Sequence, residues 1–455
     1  MHFQQYFLGC LSQASYLIGD ETTGRAVVVD PQRDVSQYLA DAERAGLTIE
    51  RVIETHFHAD FLSGHLELAD AAGAVVSYGT GAEADFPIEP LADGQKLSLG
   101  EVELEVLATP GHTPESICVV VREHAGDDVP YGVLTGDTLF IGDVGRPDLL
   151  GGQGLTADEM ARQLYRSLRD KLLPLPDATR VFPAHGAGSS CGKQLSDETS
   201  STLGEQRRTN YALGDMTEDE FVAVVTEGQS AAPPYFPFSA HRNRERHALL
   251  DDHAAPPALS LPQVLDHQRH GAAIVDTRPA VEFAAGHLPG ALNVTLEGRF
   301  AEWAGDVLRP DQPIVLVCEP GHDLEARVRL ARIGFDQVVG VLGDVRHAAQ
   351  EPSSRITAAQ AADAVAAGAA VVDVRNPAEV AAGAVPGAVN IPVAQLVERM
   401  HELDPERTTV VYCASGARSS LAASVLAANG FADVSDVLGG YAGLKSSEQE
   451  LMHQR

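Results

Sequence analysis

The chain contains 455 residues, which exceeds the usual size of one domain and predicts two or three domains. Its 64 Asp and Glu residues outnumber its 33 Lys and Arg residues, so the formal net charge is −31 and nucleic-acid or anionic-membrane partners are excluded. No apolar run reaches the roughly 18 residues of a membrane-spanning helix, and the first residues lack the basic start of a signal peptide. We therefore expect a cytoplasmic protein.

The first 250 residues alternate short apolar strands with helices, a pattern that is typical of an α/β domain. Helices are predicted at residues 35–45, followed by Gly46, and at residues 157–171. Strands are predicted at residues 25–30, 51–55, 102–108 and 180–184. Residues 233–257 are rich in turns and charges, so we interpret them as the end of this domain and a linker.

Metal-binding residue types follow several of these strands. The segments that carry them are THFHAD, PGHT, TGDTLF and FPAHG, which supply His56, His58, Asp60, His112, Asp137 and His185. Imidazole and carboxylate groups that arrive from separate strand ends at one edge of a sheet build an open, catalytic metal site. A single histidine would be interpreted as an ordinary residue, but the whole set predicts a metal centre.

At these residues the chain resembles the metallo-β-lactamase superfamily, whose signature H-x-H-x-D-H is matched from His56 to Asp60 and then departs at Phe61. The resemblance implies that residues 1–250 form a metallo-β-lactamase αβ/βα sandwich. In the two-zinc hydrolases of this superfamily the final histidine helps to bind the second metal, so Phe61 removes a ligand. A zinc-dependent thioester hydrolase of the glyoxalase II type, with an accessory sulfurtransferase, remains the alternative function.

The better resemblance is to the persulfide dioxygenases of the same superfamily. It implies one Fe(II) per chain, held by His56, His112 and Asp137, with open positions for O₂ and a sulfur ligand. The implied reaction oxidises a low-molecular-weight thiol persulfide with O₂ to sulfite. The remaining histidines and aspartate are expected to orient the ligands as a second layer. These orienting residues are His58, Asp60 and His185.

Two further residues are candidates for contact with the persulfide. Arg146 lies where the resemblance implies an arginine near the substrate sulfur, and its fixed charge suits an anionic persulfide. A loop-stabilising arginine is the alternative. Cys191 follows His185 on a loop rich in glycine and serine, which predicts an accessible thiol with a functional role in persulfide turnover. A structural thiol is the alternative interpretation.

The second half of the chain contains an internal repeat. Residues 275–294 return as residues 372–391 with 11 of 20 positions identical, at an offset of 97 residues. In each copy a short strand ends in Asp-x-Arg, a Pro-Gly turn follows, and a second strand leads through a cysteine into an alanine-rich helix. The pattern predicts two α/β domains with parallel sheets, at residues 258–350 and 354–455.

The last copy carries a six-residue loop that strongly resembles the active loop of rhodanese sulfurtransferases. Its residues are Cys413, Ala414, Ser415, Gly416, Ala417 and Arg418. The resemblance implies that Cys413 is the nucleophile, that the loop backbone binds the substrate, and that Arg418 contacts thiosulfate or sulfite. Backbone N–H groups at a helix N-terminus lower the pKa of such a thiol and hold its persulfide.

The middle copy keeps the scaffold of a rhodanese-like domain but has no arginine at the end of its cysteine loop. From Cys318 to its Gly-Phe pair it is one residue shorter than the last copy, which we interpret as a shortened loop. We therefore predict a degenerate, inactive domain with a buried Cys318. The whole chain is expected to act in sulfur metabolism and sulfide detoxification, and a homo-oligomer is compatible with the sequence.

Overall fold

The computed structural model describes residues 1–149, 154–345 and 350–445, and the chain divides into two compact units. The N-terminal unit comprises Met1–Ala232 and Phe236–Asp252, and the C-terminal unit comprises Pro233–Tyr235 and His253–Arg455. Residues 346–349 and 446–455 of the predicted rhodanese-like domains lie outside the described residues. Among the described residues, no helix has the length and apolar character that crossing a bilayer requires.

The N-terminal unit is built from two six-stranded sheets. The first sheet contains, in spatial order, β1 (His2–Leu8), β2 (Gln13–Asp20), β3 (Arg25–Val29), β4 (Thr48–Ile53), β5 (Val75–Gly79) and β6 (Glu89–Leu91). The second contains β7 (Lys96–Ser98), β8 (Glu103–Ala108), β9 (Ile117–Arg122), β10 (Gly132–Gly136), β11 (Arg180–Pro183) and β12 (Ser201–Thr202), again in spatial order. The helices are α1 (Ser36–Arg44), α2 (His65–Ala72), α3 (Ala157–Ser167), α4 (Leu203–Thr209), α5 (Glu218–Thr226) and α6 (Phe236–Arg242).

The core of this unit lies between the two sheets. Buried side chains of both sheets meet there, for example Tyr16 and Val29 from the first and Leu104 and Val119 from the second. Helices α1 and α2 cover the outer face of the first sheet, and α3 and α5 cover the outer face of the second. Strands that are covered on both faces carry continuous apolar runs, as in β9 from Ile117 to Val121. The predicted αβ/βα sandwich is confirmed.

The predicted helices in this unit are present with small changes at their ends. The helix expected at residues 35–45 is α1, and the helix expected at residues 157–171 is α3, continued by a π-helical turn at Leu168–Leu172. A capping box starts α3, because the Thr156 side chain accepts from the Glu159 N–H and Glu159 caps Thr156 in return.

Residues 233–257, which we interpreted as the end of this domain and a linker, contain a helix that the turn-rich pattern did not predict, α6. This helix belongs to the N-terminal unit, and its first residue, Phe236, is buried. Pro237 occupies the second helical position, where the missing N–H removes no intrahelical hydrogen bond. The prolines that indicated a linker are therefore compatible with a helix start.

The C-terminal unit contains two parallel sheets, as the repeat predicts. The first copy has strands β13 (Ala273–Asp276), β14 (Leu292–Asn293), β15 (Ile314–Val317) and β16 (Val338–Leu342), in the spatial order β14-β13-β15-β16. The second copy has β17 (Ser354–Ile356), β18 (Ala370–Asp373), β19 (Val389–Asn390), β20 (Thr409–Tyr412) and β21 (Val434–Val437), in the order β17-β21-β20-β18-β19. The helices are α7 (Leu261–Arg269), α8 (Ala280–Ala285), α9 (Phe300–Val307), α10 (Asp323–Ala331), α11 (Ala358–Ala366), α12 (Pro377–Ala381), α13 (Val393–Arg399) and α14 (Ala417–Ala428).

The two copies of the repeat contact each other inside this unit. Helix α14 of the last copy packs on β14 of the middle copy. The N–H of Asn293 donates to the Ser424 hydroxyl at 2.9 Å, and the Ser420 hydroxyl donates to the Asn293 side chain at 2.7 Å. The helix that follows the Cys413 loop is therefore anchored on the middle copy.

Candidate metal centre and cysteine loops

The three predicted metal ligands follow the ends of β4, β8 and β10 and converge on one point. Nε2 of His56 lies 3.7 Å from Oδ2 of Asp137, and Nε2 of His112 lies 3.4 Å from the same oxygen. All three side chains are buried. The ligand atoms of the three side chains all lie within 4.8 Å of one another, which is close enough for them to share a metal ion.

Hydrogen bonds on the far side of each ring turn Nε2 toward Asp137. The Thr55 hydroxyl donates to Asp30 at 2.9 Å and lies 3.0 Å from Nδ1 of His56, so it accepts the Nδ1–H. Nδ1 of His112 donates to the carbonyl of Arg146 at 2.8 Å. Both rings therefore present an Nε2 lone pair to the site, as metal-ligating histidines do.

The electrostatics of the triad also suit a metal ion. Burial, assisted by the neighbouring His58, lowers the pKa of His56 well below its ordinary value, so the imidazole is neutral and can ligate. Oδ2 of Asp137 is buried and has no hydrogen-bond partner in the described part of the chain. A buried carboxylate oxygen without a partner is costly unless a cation occupies the site. The two nitrogens and one oxygen therefore fit a divalent metal.

The predicted orienting residues lie directly behind the triad. His185 bridges two carboxylates, with Nδ1 2.7 Å from Asp137 and Nε2 2.7 Å from Asp60. Although burial opposes it, the charges of Asp137 and Asp60 raise the pKa of His185 well above its ordinary value. His185 therefore holds Asp137 in place as a proton donor. Nε2 of His58 lies 3.1 Å from Oδ1 of Asp30, the same aspartate that accepts from Thr55.

The Cys413 loop connects β20 to α14. Cys413 is buried, and its Sγ accepts the N–H of Gly416 at 3.1 Å. Gly416 has a φ of +117°, a conformation that residues with a side chain rarely adopt. Arg418 forms two 2.7 Å hydrogen bonds with the carboxylate of Glu379, so its guanidinium is held beside the loop.

The Cys318 loop differs from the Cys413 loop in length, although not in the expected direction. Four residues separate Cys318 from α10, whereas three residues separate Cys413 from α14. The interpretation of a shortened loop is therefore wrong, because the shorter element is the helix, which has 9 residues in α10 and 12 in α14. The prediction that Cys318 is buried is confirmed. Burial, with Asp323 and Asp276 adding to it, raises the pKa of its thiol to about 12.

Comparison with known proteins agrees with both halves of this architecture. The metallo-beta-lactamase superfamily model matches residues 8–185, and the rhodanese-like domain model matches residues 260–345 and 357–447. Persulfide dioxygenase ETHE1, mitochondrial, from Bos taurus is 31% identical over 233 residues, which cover 50% of this chain and 82% of that protein. The human protein of the same name is 30% identical with the same coverage.

The solved structures extend this similarity beyond the first half. A crystal structure of a metallo-beta-lactamase from Staphylococcus aureus subsp. aureus COL is 34% identical, with a TM-score of 0.68. The similarity covers 75% of this chain and 99% of that one. The chain belongs to the metallo-beta-lactamase superfamily, with ETHE1-like relatives, and carries two rhodanese-like domains. The family membership supports a bound metal and a role in sulfur metabolism.

Within this metallo-beta-lactamase domain, Arg146 is occupied by protein groups. Its guanidinium binds Asp148 at 2.7 and 2.8 Å and donates to the carbonyls of Ser190 at 3.2 Å and Ser230 at 2.8 Å. Its own carbonyl accepts from His112. These contacts favour the loop-stabilising interpretation of Arg146.

Cys191 lies beside the metal centre but is not accessible. Its Sγ lies within 4.8 Å of ligand atoms of Asp137 and His185. The residue is only 1% exposed. The expectation of an accessible thiol is therefore wrong. The reason is that the loop folds back onto Asp143, which accepts the N–H groups of Lys193 at 2.6 Å and Gln194 at 2.8 Å. Burial, with the nearby aspartates adding to it, raises the pKa of this thiol well above its ordinary value.

The segment from α6 to Arg244 is part of the site and was missed by the sequence reasoning. It lines a cavity of about 440 Å³ that also includes Phe57 and His112. The Arg244 guanidinium lies 4.5 Å from the ring centre of Phe57. Asn243 donates to the carbonyls of His58 and Phe61, each at 2.8 Å, and so holds the THFHAD loop. The signal in the sequence that could have revealed this segment is its mixture of aromatic and basic residues, FPFSAHRNR at residues 236–244.

Proposed function

We propose that the N-terminal unit oxidises a low-molecular-weight thiol persulfide with O₂ to sulfite, using one Fe(II) held by His56, His112 and Asp137. Bound iron would supply the activation of O₂ and of the persulfide sulfur, as in other sites with two histidines and one carboxylate. The observation that supports this proposal is the convergence of two Nε2 atoms on the unpartnered Oδ2 of Asp137. The ETHE1 relatives support the choice of reaction.

The chain's own residues would prepare this site for the persulfide. Thr55 and the Arg146 carbonyl orient the two imidazoles, and His185 holds Asp137 through a proton on Nδ1. The cavity beside His112 would receive the thiol, with Arg244 as its basic group. The apolar rings of this cavity exclude water from the reacting sulfur.

Cys191 would act as a sulfur acceptor next to the metal centre. Although the thiol is buried and its pKa is raised, it would exchange with a persulfide that is bound inside the site, so that R–S–SH and Cys191–SH give R–SH and Cys191–S–SH. The position of its sulfur beside Asp137 and His185 supports this role. A Cys191→Ser variant should keep its iron but change the ratio of sulfite to thiosulfate. If that variant kept the kinetics and the product ratio of the wild-type chain, Cys191 would have only a structural role.

The last rhodanese-like domain would interconvert thiosulfate, sulfite and thiol persulfides. The Cys413 thiolate attacks the outer sulfur of thiosulfate, the S–S bond of thiosulfate breaks, and sulfite leaves. Backbone N–H groups of residues 414–417 and the Arg418 guanidinium bind the oxygens. The Gly416 N–H that donates to Sγ supports this assignment, because it stabilises negative charge on sulfur.

Metal content and oxygen uptake test the first reaction directly. The purified chain should contain about one iron, consume O₂ with glutathione persulfide and release sulfite. His112→Ala and Asp137→Ala should lose iron and O₂ uptake together, whereas His124→Ala, at a histidine whose side chain is 61% exposed, should keep both. Two tightly held zinc ions with persulfide-independent thioester hydrolysis would support the thioester hydrolase instead.

A further inference from the structure

A buried hydroxyl group, that of Ser419, lies beside the Cys413 sulfur. Ser419 is the third residue of α14, and its exposed fraction is 0%. The Cys413 thiol donates to this hydroxyl over a distance of 3.6 Å between Sγ and Oγ. The hydroxyl itself donates to the carbonyl of Gly416 at 3.2 Å. The sulfur therefore contacts two polar groups, the N–H of Gly416 and the hydroxyl of Ser419.

The hydrogen bond between this hydroxyl and the sulfur can reverse its direction. A hydroxyl carries one proton and two lone pairs, and the proton rotates to suit its acceptors. When Cys413 loses its own proton, the sulfur can only accept, and a charged acceptor forms a stronger hydrogen bond than a neutral carbonyl does. The Gly416 carbonyl keeps a partner when the hydroxyl turns away, because it also accepts the N–H of Ser420 at 3.3 Å. The rotation therefore leaves that buried carbonyl paired.

The charged groups of the last domain around this loop are already paired. Arg418 binds Glu379 through two hydrogen bonds of 2.7 Å, and Arg355 binds Asp436 at 2.9 and 3.0 Å. Burial raises the pKa of Asp436, and its contacts with Arg355 and with the Ser419 hydroxyl oppose the rise. Because Arg355 already holds Asp436, the hydroxyl of Ser419 can turn to the sulfur.

The middle domain faces the loop across a cavity of about 520 Å³. Its charged or titratable residues in that wall are Glu297, Glu319, His322, Glu325 and Arg329. In the described part of the chain, the hydrogen bonds to the Cys413 sulfur come from Gly416 and Ser419 alone. Direct stabilisation of a negative charge on this sulfur therefore depends on these two groups.

The middle domain has no hydroxyl at the corresponding position. Ser419 stands six residues after Cys413, and Leu324 stands six residues after Cys318. The middle domain folds with a leucine there, so the shared scaffold does not require a hydroxyl at this point of the helix. The hydroxyl belongs to the loop that we propose to be reactive.

We propose that Ser419 is a catalytic residue of sulfur transfer, and that its hydroxyl donates a hydrogen bond to the Cys413 sulfur whenever that sulfur is a thiolate. This inference rests on the proposed reaction at Cys413. The hydroxyl would act in both halves of that reaction, since Cys413 is the attacking group in the first half and the leaving group in the second.

Both halves balance without an oxidant or a reductant. In the first, the Cys413 thiolate attacks the outer sulfur of thiosulfate, the S–S bond of thiosulfate breaks, and sulfite leaves with the electron pair. In the second, an acceptor such as cyanide attacks the outer sulfur of the Cys413 persulfide. The S–S bond of the persulfide breaks, thiocyanate forms, and Cys413 leaves with the electron pair as a thiolate.

Ser419→Ala in the full chain tests the two halves separately. The acidic limb of kcat/KM for thiosulfate should move upward by about one pH unit, because the thiolate loses one charge-assisted hydrogen bond. Above that limb kcat/KM should approach the wild-type value. Discharge of the preformed Cys413 persulfide by cyanide, measured as thiocyanate in a single turnover, should be about tenfold slower than in the wild-type chain at every pH, because the leaving thiolate is less stable.

Three further variants complete the test. Ser419→Gly also removes the hydroxyl and should reproduce both effects, whereas Ser419→Thr keeps it and should retain the wild-type limb and discharge rate. The control is Ser435→Ala, which removes a hydroxyl that donates to Ser354 at 2.7 Å in the same domain. It should change neither measurement.

Unchanged rates in Ser419→Ala, or a rate that falls equally at every pH with the acidic limb unmoved, would overturn the inference. A Ser419→Thr chain that behaves like Ser419→Ala would overturn it as well. A wild-type chain in which thiosulfate leaves no extra sulfur on Cys413 would instead overturn the reaction proposed at that cysteine.

Discussion

The two rhodanese-like domains share a scaffold but differ in the loop that follows the cysteine. In each domain a buried aspartate at the end of a strand binds the arginine two residues later at 2.6 Å, in the pairs Asp276–Arg278 and Asp373–Arg375. The cysteines at the ends of β15 and β20 are buried in both. The Cys413 loop ends in Gly416, Ala417 and Arg418, whereas the Cys318 loop ends in Gly321, His322 and Asp323.

The difference shows that the fold and the reaction depend on separate groups of residues. Buried strands and a buried ion pair stabilise the domain, and both remain after the loop has diverged. In the middle domain Pro320 has no N–H to donate, and Asp323 places a carboxylate at the start of α10. A carboxylate there stabilises the helix end but repels an anionic sulfur. The middle domain therefore keeps the scaffold, and its loop is the reason why we propose that it does not transfer sulfur.

The largest expected difference between the domains is in sulfur transfer. Cys413→Ser should lower thiosulfate sulfurtransferase activity about a thousandfold or more, because a serine hydroxyl cannot replace a thiolate nucleophile. Persulfide-dependent O₂ uptake should remain, since the metal site is in the other unit. Cys318→Ser is the matched control and should change neither activity. Loss of sulfur transfer in Cys318→Ser would mean that the middle domain is the active one.

The shared ion pair should matter equally in both domains. Asp276→Asn and Asp373→Asn should each lower the free energy of unfolding of their domain by about 3 kcal/mol, because each leaves an arginine that is largely shielded from solvent without its carboxylate partner. Urea unfolding followed by the fluorescence of Trp303, the single tryptophan of the chain, reports on the middle domain, and circular dichroism reports on both. Asp311→Asn is the exposed control. If Asp276→Asn lowered the free energy of unfolding far less than Asp373→Asn, the ion pair would no longer stabilise the scaffold of the middle domain.

Arg418 should have a smaller effect that is specific to the last domain. Arg418→Lys should lower kcat/KM for thiosulfate about tenfold, because a lysine cannot reproduce the planar fork that binds Glu379 and a second oxygen group. Arg399→Lys, which alters a half-exposed pair with Glu402 in the same domain, should leave the activity unchanged. Unchanged kinetics in Arg418→Lys would show that the loop backbone alone binds the anion.

The smallest expected signal is the alkylation of Cys318 in the native chain. A thiol whose folded pKa is raised to about 12 stays protonated at pH 8, where roughly one molecule in ten thousand carries the reactive thiolate. Iodoacetamide labelling followed by mass spectrometry should therefore leave Cys318 unmodified at pH 8, and the labelling rate should increase as the pH rises toward 12. Rapid labelling at pH 8 would contradict the idea of an inert thiol.

Local patterns made much of the molecule predictable. The alternation of apolar strands and helices indicated α/β domains with parallel sheets in the repeat, and the 97-residue offset indicated two related domains. The sandwich itself was implied by the resemblance to the metallo-β-lactamase superfamily. The residues of the metal centre were predictable as a group because they follow strands, and strand ends meet at one edge of a sheet. The choice of His56, His112 and Asp137 as ligands came from the resemblance to persulfide dioxygenases. The length of the Cys318 loop was not predictable, because counting residues does not show where a helix begins.

The sequence by itself determined the domain classes, the residue types of the metal centre and the reactive loop, since each is encoded over a few neighbouring residues. Only the tertiary structure decided that Cys191 is buried, that Arg146 is occupied, and that Asn243 holds the carbonyl of His58 across 185 residues of chain. It also decided that Glu297 of one domain shares a cavity with Gly416 of the other. Such contacts depend on the path of the whole chain, because burial and charge pairing are properties of groups that folding brings together.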